Sequence, residues 1–97
     1  MREYQDFKNK CKNEIESQGC DPALIASAYD FFKRANDKKY SYHFEWQGRP
    51  IIQYPQDIVA MQELIWQIKP DLIIETGIAH GGSLIFSASM LALLDYC

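Results

Sequence analysis

Apolar side chains in the first third of the chain recur at helical spacing. Tyr4, Phe7, Cys11 and Ile15 follow at intervals of three, four and four, while Lys8, Lys10, Lys12 and Glu14 point elsewhere. The pattern predicts an amphipathic helix, with Gly19 as its stop. Asp21-Pro22 opens a second helix, an N-cap acid followed by proline at the first helical position. Leu24, Ala28, Phe32 and Ala35 form its stripe, widened by Ile25, Tyr29 and Phe31, and it fades near Asn36-Asp37.

The period then changes. Tyr40, Tyr42, Phe44 and Trp46 alternate with polar residues, which predicts an extended segment. Gln47-Gly48-Arg49-Pro50 signals a turn and Ile51-Ile52-Gln53-Tyr54 a second arm, so a short hairpin is expected, with Pro50 keeping that arm at an edge. Pro55 starts a third helix. Asp57 sits in its first turn, Ile58, Met61, Leu64, Ile65 and Ile68 form its buried face, and Lys69-Pro70 ends it. Asp71 to Thr76 is short, apolar and β-branched at its centre, the pattern of a strand buried in a parallel sheet. Gly77 to Gly82 is a glycine-rich loop. Ser83 through Asp95 is a last helix, apolar on nearly every face and so expected to be packed deep. The predicted organisation is a helical N-terminal region with a hairpin over 1–54 and the start of an α/β domain over 55–97.

Composition narrows the class. A chain of 97 residues with 47% hydrophobic content allows one small domain and excludes a disordered tail. A formal net charge of −3 argues against a dedicated nucleic-acid binder. The charged start, Met1 to Asp6, has no apolar core of a secretion signal. The most apolar stretch, Leu72 to Leu94, is interrupted by Glu75, His80 and glycines, which argues against a membrane span. Cys11, Cys20 and Cys97 are odd in number and lack metal-site spacing, so they read as free thiols of a cytoplasmic protein.

The stretch that carries chemistry is Ile73-Ile74-Glu75-Thr76-Gly77-Ile78-Ala79-His80-Gly81-Gly82-Ser83. A strand ending in an acid feeds a small-residue loop and then a helix, the place where open α/β sheets bind ligands. Gly77 permits a sharp turn and a close approach. Gly81, Gly82 and Ser83 fall where unpaired helix N–H groups can meet a negative group, and Glu75 can accept hydrogen bonds from an amine or hydroxyls. The loop therefore suits a ligand with one cationic and one anionic end; the alternative is a plain strand-to-helix turn. A dinucleotide fingerprint needs G-x-G-x-x-G, whereas here Ala79 holds the second glycine position and no second strand with an acid follows. A nicotinamide-dependent oxidoreductase fragment is accordingly the third-placed reading.

These residues resemble a known family. The run from Trp46 to Leu94, with Trp46-x-Gly48, Pro55-x-Asp57, Gln62-Glu63, Lys69-Pro70-Asp71-Leu72-Ile73-Ile74-Glu75-Thr76-Gly77 and Gly81-Gly82-Ser83, is similar to the cephalosporin hydroxylase / rhamnosyl O-methyltransferase family, within the class I S-adenosylmethionine-dependent methyltransferases. The resemblance implies a Rossmann-like fold in which this loop wraps the methionine end of S-adenosylmethionine. By the match Glu75 would hold the ammonium, Gly77 and Ala79 would line the close approach, and Gly81, Gly82 and Ser83 would offer donors to the carboxylate. It also implies a sugar or small-molecule hydroxyl as methyl acceptor. The family's metal-binding acids and the acid that grips the ribose lie downstream of the first βα unit and have no counterpart here.

The remaining candidates are weaker. His80 in the loop is a possible base, though solvated loop histidines are commoner; His43 reads as structural. Lys38, Lys39, Tyr40, Tyr42, His43, Phe44, Trp46 and Arg49 form a basic aromatic patch of the kind that stacks on single-stranded nucleic acid, but packing is the better reading. Asp57 and Glu63 are six apart, off the spacings that share a helix face, and no metal constellation stands out. The favoured reading is an N-terminal fragment of an O-methyltransferase, inactive alone, with weak or absent cofactor binding. The alternative is a non-catalytic helical interaction module or remnant. The fragment reading follows from the strand at Asp71 to Thr76, which has no parallel partner in the sequence.

Overall fold

The computed structural model describes residues 1–96, and its contacts divide the chain into two compact units, Met1–Asp37 and the residues from Lys38 onward. The first unit holds α1 (Arg2–Gly19) and α2 (Pro22–Asp37). The Cys20 N–H closes the end of α1 on the carbonyls of Glu16 and Ser17. Asp21 Oδ1 then accepts from the N–H groups of Ala23 and Leu24 at 3.1 and 3.2 Å, capping α2 as its sequence position predicts. Asp21→Ala should therefore cost this unit about 1 kcal/mol, read as a loss of helicity and a lower thermal midpoint by circular dichroism; an unchanged melt would remove the cap from the account. The two helices pack on each other, yet neither buries a residue completely. Tyr4, Phe7, Leu24 and Tyr29 stay largely exposed, because two helices alone enclose no core.

The second unit begins with a 3-10 turn (Tyr40–Tyr42), followed by β1 (Phe44–Trp46), β2 (Arg49–Ile51), α3 (Pro55–Ile68) and α4 (Gly82–Leu94). The alternation that predicted an extended run from Tyr40 is strand only over Phe44–Trp46. Lys39 is left-handed (φ 55°) and its carbonyl accepts from the Tyr42 N–H, which coils the chain and lays the Tyr40 ring edge-on against Phe44. The hairpin pairs Phe44 with Ile51, Glu45 with Pro50 and Trp46 with Arg49. The second arm is thus Arg49–Ile51 and not the expected Ile51 to Tyr54, because the loop is only Gln47-Gly48, both at positive φ as a tight two-residue hairpin turn requires, and Arg49 and Pro50 already pair with β1.

The core of this unit is Ile51, Ile65 and Phe86, with Phe44, Trp46, Ile58, Ile73 and Met90 packed around it. Trp46 meets Phe86 edge-to-face at 4.9 Å, and its indole N–H donates to Ser89 Oγ at 3.1 Å. α3 starts on Pro55 and ends at Lys69, which is left-handed (φ 50°) and donates its N–H to the Ile65 carbonyl. Pro70 then blocks continuation.

Three expectations need correction. Asp71 to Thr76 is not a strand: none of the described residues pairs with it, and without a ladder a β-branched run has nothing to hold it in a sheet. Leu72 and Ile74 are exposed, while Ile73 between them packs on the core. On α3 only Ile65 of the expected face is buried; Met61, Leu64 and Ile68 are exposed. α4 is likewise not enclosed. Phe86, Ser87 and Gly82 are buried, but Leu84, Ile85 and Leu93 are open, because the hairpin and α3 cover one side only. The parts of the expected architecture are present: a helical N-terminal region, then a segment, loop and helix in the order of an α/β unit. Cys11 and Cys20 are free thiols, and Cys97 lies outside the described residues.

Candidate functional site

The site is the passage from Glu75 to Ser83 into the N-terminus of α4. Its backbone turns by left-handed residues at every second position, with φ of 71° at Gly77, 46° at Ala79 and 89° at Gly81. The Gly81 N–H donates to the Ile78 carbonyl at 2.7 Å and closes a four-residue turn, Ile78-Ala79-His80-Gly81. Gly81 is the N-cap of α4, its carbonyl accepting from the Ile85 N–H, and no side chain caps the first turn. Positive φ suits Gly77 and Gly81; at Ala79 it costs about 1–2 kcal/mol, a strain that concentrates at functional turns.

Glu75 and Ser83 are eight residues apart and meet across the loop. The Ser83 hydroxyl donates to Glu75 Oε1 at 2.5 Å. The other carboxylate oxygen, Oε2, is buried without a hydrogen-bond partner among the described residues. A buried acceptor left unmatched costs about 1–3 kcal/mol, and more when charged, so this atom is poised for a donor. Both side chains line a mainly apolar cleft of about 340 Å³ shared with Met61, Leu64, Ile74 and Phe86. The exposed face of α3 is thus one wall of the cleft.

The two neighbouring glycines do different work. Gly77 has no atom within 4 Å of where a Cβ would stand, so its need for glycine is conformational. Gly82 is buried against β2: a Cβ there would lie 2.1 Å from the Pro50 carbonyl oxygen. Of the residues expected to donate to an anion, Gly82 is therefore also a packing glycine, and Ser83 already spends its proton on Glu75. His80 is exposed, with its carbonyl accepting from Arg49 Nε–H at 3.0 Å. Arg49 was not legible as part of the site, since 31 residues separate it from His80. The basic aromatic patch turns Phe44 and Trp46 toward the core, while His43 is exposed.

A sequence model of the family described as Rhamnosyl O-methyltransferase/CmcI matches residues 38–96, which takes in the whole hairpin, α3, the loop and α4. The chain belongs to this family. No curated protein and no solved structure matches it. The family match begins at the same residue as the second compact unit, so the site sits inside the rhamnosyl O-methyltransferase/CmcI portion. Among the described residues no group of three or more His, Cys, Asp or Glu side chains is placed to hold a metal ion, and no helix is long and apolar enough to cross a membrane.

Proposed function

We propose that the segment Glu75–Ser83 is the methionine-binding part of an S-adenosylmethionine-dependent O-methyltransferase site, acting on a hydroxyl of a sugar or small molecule. The observation that carries the reading is the buried, unpartnered Oε2 of Glu75. Its neighbour Oε1 is held by Ser83, which orients the carboxylate and leaves one oxygen for an ammonium group. A charge-assisted bond there would replace the missing one. Gly77 and Ala79 supply the open, left-handed backbone for close approach. The Gly81 N–H is spent on Ile78, so the Gly82 and Ser83 amides are the ones that stand at an uncapped helix start, where a carboxylate is favoured.

S-adenosylmethionine, when bound, supplies an electrophilic methyl group on a sulfonium. This chain's residues would bind and orient the amino-acid end and exclude water along the apolar cleft. Among the described residues no group of three or more His, Cys, Asp or Glu side chains is placed to hold a metal ion, and the resemblance puts the ribose-gripping acid outside the first βα unit. We therefore expect weak binding, in the millimolar range or weaker, and no methyl transfer by the 97-residue chain itself. The free thiols Cys11 and Cys20 favour a reducing, cytoplasmic setting.

The test is a titration with S-adenosylmethionine followed by amide resonances. Shifts confined to Glu75–Ser83 are expected, and Glu75→Gln should weaken binding at least about tenfold, the value of a hydrogen bond to a charged group. Equal affinity of wild type and Glu75→Gln would sink the assignment of Glu75. Low-micromolar binding by the wild-type chain would overturn the expectation of weakness.

A further inference from the structure

The loop is reached from β2 by two consecutive residues. The Pro50 carbonyl lies under Gly82, and Arg49 extends along the loop, with Nε 3.8 Å and Nη2 4.0 Å from where a Cβ on Gly81 would stand. From there the Arg49 Nε–H donates to the His80 carbonyl at 3.0 Å. That carbonyl belongs to the same planar peptide as the Gly81 N–H, which in turn donates to Ile78 and closes the turn. Fixing one end of the peptide plane fixes the other. Inside this turn Ala79 is held at φ 46°, a setting disfavoured for a residue with a Cβ, and such conformations persist only when their surroundings over-determine them. A guanidinium donor is always protonated, so its bond to the carbonyl is charge-assisted at any ordinary pH.

We propose that Arg49 is a positioning residue for this loop. Through His80 it locks the Ile78–Gly81 turn from the hairpin and so sets the direction of the backbone at the start of α4 before any ligand arrives. Preorganisation of this kind raises affinity by removing the ordering cost from the binding step. The effect on affinity rests on reading the loop as the methionine-binding segment; the effect on the turn does not.

The experiment compares wild type with Arg49→Met, which keeps the aliphatic stem and loses the donor, and with Arg49→Lys, which restores a donor. Without ligand, the carbonyl carbon of His80 and the amide nitrogen of Gly81 should shift in Arg49→Met and return toward wild type in Arg49→Lys. The Trp46 indole signal, bonded to Ser89, should stay in place in all three and report an intact core. In a titration with S-adenosylmethionine, Arg49→Met should bind about tenfold more weakly, with Arg49→Lys in between. Unmoved His80 and Gly81 signals in Arg49→Met would overturn the proposal, as would moved signals with unchanged affinity. If wild type shows no binding, the ligand-free signals alone decide the role of Arg49: moved His80 and Gly81 signals in Arg49→Met uphold it and unmoved ones overturn it.

Discussion

Gly82→Ala should unfold the second unit or come close to it. The added Cβ would stand 2.1 Å from the Pro50 carbonyl oxygen, 2.5 Å from its carbon and 2.8 Å from Ile51 Cα. All three obstacles are backbone, so no side-chain rotation relieves them. Either the hairpin or α4 must move, and Ile51, buried at 1% exposure, moves with the hairpin. Overpacking of a close-packed contact costs about 1–3 kcal/mol and occasionally more; a clash against a strand backbone belongs at the top of that range. For a domain of this size about 3 kcal/mol lowers the melting temperature by roughly 12–24 °C. Circular dichroism and tryptophan fluorescence on heating would measure it. The control is Gly77→Ala, where the Cβ meets nothing and the cost is the left-handed conformation alone, about 1–2 kcal/mol. If the two variants melt together, Gly82 is not a packing glycine.

Phe86→Ala should be comparably damaging by the opposite route, since it empties space that Gly82→Ala overfills. Phe86 is 2% exposed and stands at the junction of all three parts of the unit: Ile51 from the hairpin, Ile65 from α3, and its own helix. Truncating a buried phenylalanine costs about 3–5 kcal/mol, from lost transfer energy plus the cavity left behind. Part of that is the edge-to-face pairing with Trp46, about 0.5–1.5 kcal/mol for such a contact. Phe86 also lines the cleft beside Glu75, so the void would open into it and admit water near the carboxylate. Urea unfolding should show a lower midpoint, with Trp46 emission shifted toward the exposed value. Phe86→Leu, nearer in volume, should lose less than about 1.5 kcal/mol. A loss below about 1 kcal/mol for Phe86→Ala would mean that the core is centred elsewhere.

The local elements were readable because their signals are local. Pro22 and Pro55 start helices, Asp21 caps one, Gln47-Gly48 makes a tight turn, and each acts within four residues of where it stands. The candidate loop was legible for the same reason. Gly77 takes the positive φ that its expected sharp turn called for, whereas the left-handed Gly81, read from the sequence as a helix-start donor, was not anticipated. The resemblance of Lys69 to Ser83 to the rhamnosyl O-methyltransferase/CmcI family, a pattern of contiguous residues, is met by a family match over 38–96.

What failed was inference about burial. Periodicity says which side chains share a face, not whether anything covers that face. Met61, Leu64 and Ile68 do align on α3, and Leu72 and Ile74 do alternate with Ile73, but no described residue lies over them in the way the pattern anticipated. The β-branched run at 71–76 has strand character without strand structure, since a strand is completed only by a neighbour.

By itself, then, the sequence determined where the helices begin and end, that the chain turns back near 47–50, the family, and the segment proposed to carry the chemistry, because these depend on neighbours along the chain; the register that makes the hairpin a tight two-residue one came from the structure. Only the tertiary structure decided which oxygen of Glu75 is held by Ser83 and which is left over, that Gly82 is required by the Pro50 carbonyl, and that Arg49 reaches His80. Each of these joins residues between eight and about thirty positions apart across a few ångströms; the first needs the loop to fold back on α4, and the other two exist only once the hairpin has packed there.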